Sequence, residues 1–187
     1  EFSYTISNSM LVAGNNTIAV EIHQTNDLSS DVSFDLELLG NPIDKTLIFS
    51  GGSTWKYLAN NTRPAGWEAT AFADAAWPSA VGKFGYGGDG EVTCIPSGGG
   101  VTLCLPSGNK WTTTYFRKNV TIPNPSLYAN IEMNIIIDDG AVVYVNGVEV
   151  IRDNLPTGAI THATLALAAV SGAAENTFNK FVLPTSA

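Results

Sequence analysis

The residues able to do chemistry are few and scattered. Asp138-Asp139-Gly140 sets two carboxylates beside a glycine, and Gly87-Gly88-Asp89-Gly90-Glu91 sets two more in a glycine-rich stretch. Carboxylates flanked by backbone carbonyls are the oxygen donors Ca²⁺ takes, so Asp89, Glu91, Asp138 and Asp139 are candidate metal ligands. Asp and Gly are also ordinary turn residues, and neither spacing matches an EF-hand loop, so both readings stand. His23 and His162 are the only histidines, and no serine or cysteine sits in a Gly-Xaa-Ser-Xaa-Gly elbow. Triad chemistry therefore has little to work with. The chain reads as non-catalytic with no required cofactor, and His23 as a hydrogen-bonding residue at a strand end.

Flat aromatic rings can stack on sugars. Trp111, in a Gly/Thr-rich stretch, is the aromatic best placed to do so, with Asp138 and Asp139 as polar partners. Trp55, Trp67 and Trp77, with Tyr57, Tyr86, Tyr115 and Tyr144, read as core. Cys94 and Cys104 flank a segment rich in Gly and Pro, Ile95 to Leu103, which predicts a disulfide pinning an exposed loop. Closing so short a loop contributes about 2 to 3 kcal/mol. A metal site there would need further Cys or His nearby, and none is present.

The elements that must position these residues are strands. In Val32-Ser33-Phe34-Asp35-Leu36-Glu37-Leu38 apolar and polar residues alternate, as a half-buried strand requires. Thr17 to Ile22 repeats the pattern with Ile18, Val20 and Ile22 inward, and Phe116–Ile122 and Ile131–Ile137 are two further strands. Asn146-Gly147 between β-branched runs predicts a hairpin with a type I′ turn. Helical periodicity is nowhere sustained; Thr70 to Ala76 is expected to hold one short helical turn. The fold class is therefore all-β, an antiparallel jelly-roll β-sandwich.

At 187 residues the chain fits one such domain. Only 14% of its residues are charged, against about 25% in an average domain, so much of the surface is neutral. That composition suits an extracellular protein, and equally a surface buried by neighbouring copies. The net charge of −8 repels phosphate backbones and anionic headgroups, which argues against nucleic-acid and membrane-surface partners. No apolar run approaches the roughly 20 residues of a membrane span. The N-terminus lacks a basic segment followed by an apolar one, so any signal peptide is read as already removed.

Five motifs in order carry a family resemblance: Trp55-Lys56-Tyr57-Leu58; Trp67 with Phe72 to Pro78; Phe84-Gly85-Tyr86-Gly87; Thr114-Tyr115-Phe116-Arg117; and Asp138 to Gly147. From about Leu47 to Phe181 the chain resembles the galactose-binding-like jelly-roll modules appended to large secreted bacterial proteins. The resemblance implies a secreted or cell-surface location and a carbohydrate-binding or adhesive role, with glycans as partners. In such modules the segment matching Ala173-Ala174-Glu175-Asn176 leads on to two further strands. Here those strands stand at the other end, as Gly14 to Gln24 and Ser30 to Leu38, so the order is circularly permuted.

A sandwich lacking two strands would leave an apolar slot and unpaired backbone groups. Residues 1–40 are thus an N-terminal strand pair that completes a sandwich, and 41–187 are its jelly-roll body. Ile18, Val20, Ile22, Val32, Phe34, Leu36 and Leu38 are the residues that would fill the slot. They fill it in their own chain, or in a neighbouring copy as head-to-tail strand complementation building a filament, or the chain is cut from a tandem array. The connection from Leu38 to Leu47 spans at most about 30 Å, enough for either host.

Overall fold

The computed structural model describes residues 10–26, 31–41, 46–96, 104, 110–128 and 130–183. Among the described residues there are twelve strands: β1 (Gly14–His23), β2 (Val32–Asn41), β3 (Thr46–Phe49), β4 (Thr54–Leu58), β5 (Ser79–Val81), β6 (Phe84–Tyr86), β7 (Thr93–Cys94), β8 (Thr113–Ile122), β9 (Asn130–Asp138), β10 (Gly140–Val145), β11 (Val148–Asp153) and β12 (Asn179–Leu183). One sheet runs β11-β10-β1-β8-β4-β5; the other runs β12-β9-β2-β6-β7, with β3 also paired to β2. All pairings are antiparallel except β6 with β7. The expected all-β sandwich is the fold.

Local sequence explains the elements. The four alternating runs became β1, β2, β8 and β9, and their inward residues form the core between the sheets: Ile18, Val20 and Ile22 meet Phe34, Leu36, Met133, Ile135, Phe116 and Val143. Phe34 lies at the centre, stacked 4.2 Å from Phe116 and edge-on to Trp55 at 5.4 Å. Asn146 and Gly147 take φ of 52° and 85°, the left-handed pair a type I′ turn needs.

Two expectations need correcting. Residues 70–76 form no helical turn; the segment runs through separate turns closed by Phe72 N–H to the Ala69 carbonyl (3.1 Å) and Trp77 N–H to the Asp74 carbonyl (2.9 Å). Arg117 takes the carbonyls of Trp67 and Ala69, the acceptors a continuing helix would use. The outward face of β1 is not solvated either. Ala19, Tyr115, Val142 and Tyr144 on that face pack under Trp67, Trp77, Leu155 and Ala166 in a second apolar cluster, so Thr17 and Glu21 are fully buried. Strand periodicity tells which face a residue takes, not whether a loop covers it.

Candidate functional site

The site with most structure behind it is the seat of the N-terminal strand pair. β1 lies inside its sheet, paired with β8 from Gly14↔Ile122 to His23↔Thr113 and with β10 from Ile18↔Val145 to His23↔Gly140. β2 lies inside the other sheet, paired with β9 from Ser33↔Asp138 to Asn41↔Asn130 and with β6 and β3 on its far side. Both strands close their own chain here. All seven predicted slot-filling residues, Ile18 to Leu38, are at most 2% exposed. At about 1.5 to 3 kcal/mol per buried side chain they contribute roughly 10 to 20 kcal/mol before entropy. Seven such side chains from one short segment make the pair a large share of the core.

Polar groups fix the register at both ends of β1. At its start Asn16 accepts from Val12 N–H (2.8 Å), donates to the carbonyls of Val12 and Gly14, and meets the Asn146 amide at 3.0 Å. Asn146 also donates to the Met10 carbonyl and accepts from Thr17 N–H. At the far end His23 Nδ1 reaches the Thr164 carbonyl and lies 2.9 Å from Thr113 Oγ1. Thr113 in turn donates to the His162 carbonyl, so it accepts from His23, the strand-end role the sequence assigned. Gln24 donates to the Tyr86 hydroxyl (2.6 Å) and the Asp31 carbonyl (2.9 Å).

Glu21 accepts from the Tyr144 hydroxyl at 3.1 Å and faces Arg63 and His23 at 3.8 and 3.6 Å. Burial, with the Glu21 charge added, pushes the Tyr115 and Tyr144 phenols above their ordinary range. These acid–base groups are sealed beneath the covering loops.

The predicted ligand residues take different roles. Trp111 is half-buried just before β8, whereas Trp55, Trp67 and Trp77 are core. Asp139 is 2% exposed and its carboxylate is used as a clamp, accepting from Thr25 N–H (2.8 Å) and Val170 N–H (2.7 Å). Glu91 accepts from Asp89 N–H within its turn. Asp138 is fully buried, and burial together with Asp139 and Asp31 pushes its carboxyl up to about 9.

Two acids that motif reading passed over, Asp31 and Glu175, meet Asp89 at the same end of the sandwich. Neither has a local signature, although Asp31 and Glu175 both lie in segments the resemblance aligned. Cys94 and Cys104 form the predicted disulfide, with Cα atoms 4.8 Å apart; residues 97–103 of its loop lie outside the described residues.

An open cavity of about 810 Å³ lies between the 154–170 loop and the start of β12. Phe178, 39% exposed, lines it with Asp153, Asn154 and Asn179. Among the described residues no helix is long and apolar enough to cross a membrane. Comparison with family models, curated proteins and solved structures returned no match to this chain.

Proposed function

We propose that the chain is a non-catalytic extracellular structural module of galactose-binding-like type, whose N-terminal strand pair completes its own sandwich or that of an adjacent copy. Head-to-tail association of copies is the consequence. One observation carries this reading: β1 and β2 form a single contiguous piece at the centre of both sheets, tied to the body only through residues 42–45. The entry to β1 at Gly14 pairs with Ile122, and the end of β12 at Leu183 pairs with Ile131 across the short β8–β9 connection. Both therefore lie at one end of the sandwich, where a following copy would deliver its own pair. Exchange would reproduce the pairings of β1 with β8 and β10 and of β2 with β9 and β6, so the balance between self-closure and association is set by effective concentration. The disulfide and the low charge density support an extracellular setting. Burial of Glu21 and His23 beneath loops supports the non-catalytic reading, because no substrate reaches them.

Light scattering after sizing tests it. Chain refolded at high concentration should yield oligomers that a peptide spanning residues 10–41 converts to capped monomers. Chain lacking residues 1–41 should fold only when that peptide is supplied. A compact monomer at every refolding concentration sinks head-to-tail association and leaves the pair closing its own chain.

The second reading, a carbohydrate-binding or adhesive module, draws on the cavity beside Phe178, where a ring face stands next to Asp153 and Asn179. A glycan screen discriminates: binding abolished by Phe178→Ala but not by Trp111→Ala places the sugar in that cavity.

A further inference from the structure

We infer that the outer face of β4, β8 and β5 holds a binding site for an oxyanion, a sulfate, phosphate or carboxylate group, with Arg117 at its floor and Lys56 and Asn119 at its rim. An open pocket of about 240 Å³ lies there. Its position follows from strand alternation. Trp55, Ala80, Phe116 and Val120 pack into the core between the sheets. Their neighbours Thr54, Lys56, Ser79, Arg117 and Asn119 are therefore carried on the opposite face, where all five line the pocket.

The register sets Lys56 directly across from Arg117, and two cations opposed on one face repel unless negative charge stands beside them. Among the described residues Asp74 is the one acid in the wall, 2.9 Å from Arg117 Nε, so it offsets one of the two. A local positive excess is left, in a chain whose net charge is −8.

Charge alone would gather only a diffuse cloud of ions. The independent observation is the Arg117 guanidinium, which is 1% exposed and whose Nη2 is buried without a hydrogen-bond partner. Its other nitrogens are engaged: Nε donates to Asp74, and Nη1 to the carbonyls of Trp67 and Ala69. Asp74 lines the pocket, whereas Trp67 and Ala69 do not. The Nε edge, which Nη2 completes, is therefore the one turned towards the opening. Phe72 covers a face of the group, its ring centre 5.2 Å from Arg117 Cζ, and holds that edge in place. A buried charged donor left unpaired is costly, and the guanidinium edge is the protein group best shaped for two oxygens of one anion.

The rim supplies further donors. Lys56 gives one hydrogen bond to the Trp77 carbonyl (3.0 Å), which leaves its ammonium two of three. Asn119 accepts from the Thr17 hydroxyl at 2.7 Å, so its amide N–H groups remain for a ligand. Thr54 and Ser79 add hydroxyls. A set dominated by N–H and O–H donors with one competing carboxylate suits an oxyanion and repels a metal cation. The pocket shares no lining residue with the cavity beside Phe178, and its use requires no association of copies.

The test uses the full chain as a sized monomer, titrated with sodium sulfate against sodium chloride at fixed ionic strength and followed by amide NMR shifts. Amides of Lys56, Ser79 and Arg117 should move along one saturable curve with a Kd of about 1 mM or tighter, and chloride should leave them in place. Arg117 also braces the carbonyls of Trp67 and Ala69, so its neighbours carry the test in its stead. Lys56→Gln should weaken binding about tenfold, and Asn119→Asp, which keeps an acceptor for Thr17 but adds a negative charge, should abolish it. Asp74→Asn keeps an oxygen for Nε and removes the competing charge, so it should tighten binding about fivefold. Lys110→Gln, outside the pocket, should leave the affinity unchanged. Glucuronate, glucose and acetate then distinguish the sources: glucuronate that outbinds acetate tenfold while glucose stays silent marks an anion carried on a sugar, and equal affinities mark a free ion. Shifts that never saturate, a response that survives Lys56→Gln and Asn119→Asp, or an Asp74→Asn variant that binds no tighter overturns the site.

Discussion

The two ends of this sandwich bury polar side chains in different ways. Where the chain enters β1, Asn16 and Asn146 donate and accept among themselves and the carbonyls of Met10, Val12 and Gly14. Where β1 gives way to β2, Asp138 is equally buried, and burial with the like charges of Asp139 and Asp31 pushes its carboxyl up to about 9. An amide carries both donor and acceptor, so a cluster of amides closes on itself; an ionised carboxylate only accepts, so the buried Asp138 beside Asp139 keeps its proton. The first end closes through paired amides, and the second by holding a buried carboxyl in its neutral form.

The sharpest way to break that contrast is through the backbone at the acidic end. A Cβ on Gly85 would stand 2.1 Å from the Val32 carbonyl oxygen, across the β2–β6 pairing that follows Asp31. Gly85→Ala should unseat this end of β2 at a cost of about 3 kcal/mol or more by denaturant unfolding. Gly88→Ala meets no atom within 4 Å and strains only its φ of +97°, so it should cost about 1 kcal/mol. Equal losses would show that β2 is not held by that close approach.

At the amide end, Asn16→Ala leaves buried groups without partners and should cost about 2 to 4 kcal/mol. The loss should add to that of Gly85→Ala in the double variant; a non-additive sum would mean that the two ends are not independent. Cys94→Ser with Cys104→Ser frees the strand and loop that follow Asp89, with an expected loss of about 2 to 3 kcal/mol in the same assay.

The smallest effect concerns the loop-covered face between the ends. Tyr115 and Tyr144 have folded pKa values raised above the unfolded value, so their contribution is intact below about pH 10 and lost as pH rises beyond it. Their phenolate absorbance should appear together with unfolding; appearance well before it would show that this face is open to solvent.

Much of the fold was legible in the sequence. Alternation placed Ile18, Val20, Ile22, Phe34 and Leu36 in the core, Asn146-Gly147 marked its turn, and the cysteine spacing marked the disulfide. The candidate site was legible only in pieces. Asp89 and Asp138 stood out beside glycines, but so did Glu91 and Asp139, which the structure uses within a turn and as a loop clamp. Asp31 and Glu175 carried no local signal, because nothing in their neighbours' spacing reports what a strand register will bring beside them.

What the sequence determined by itself is therefore what depends on neighbours along the chain: side-chain alternation with period two, φ > 0 at the turn, and a short loop that two thiols can close. Tertiary structure alone decided that β1 and β2 occupy the centre of their own sheets, that loops seal Glu21 and Trp67 from water, and that Asp31, Asp89 and Glu175 meet at one end. The physical reason is the range of the forces: backbone sterics act between adjacent residues, whereas burial and the meeting of like charges exist only once distant strands have paired.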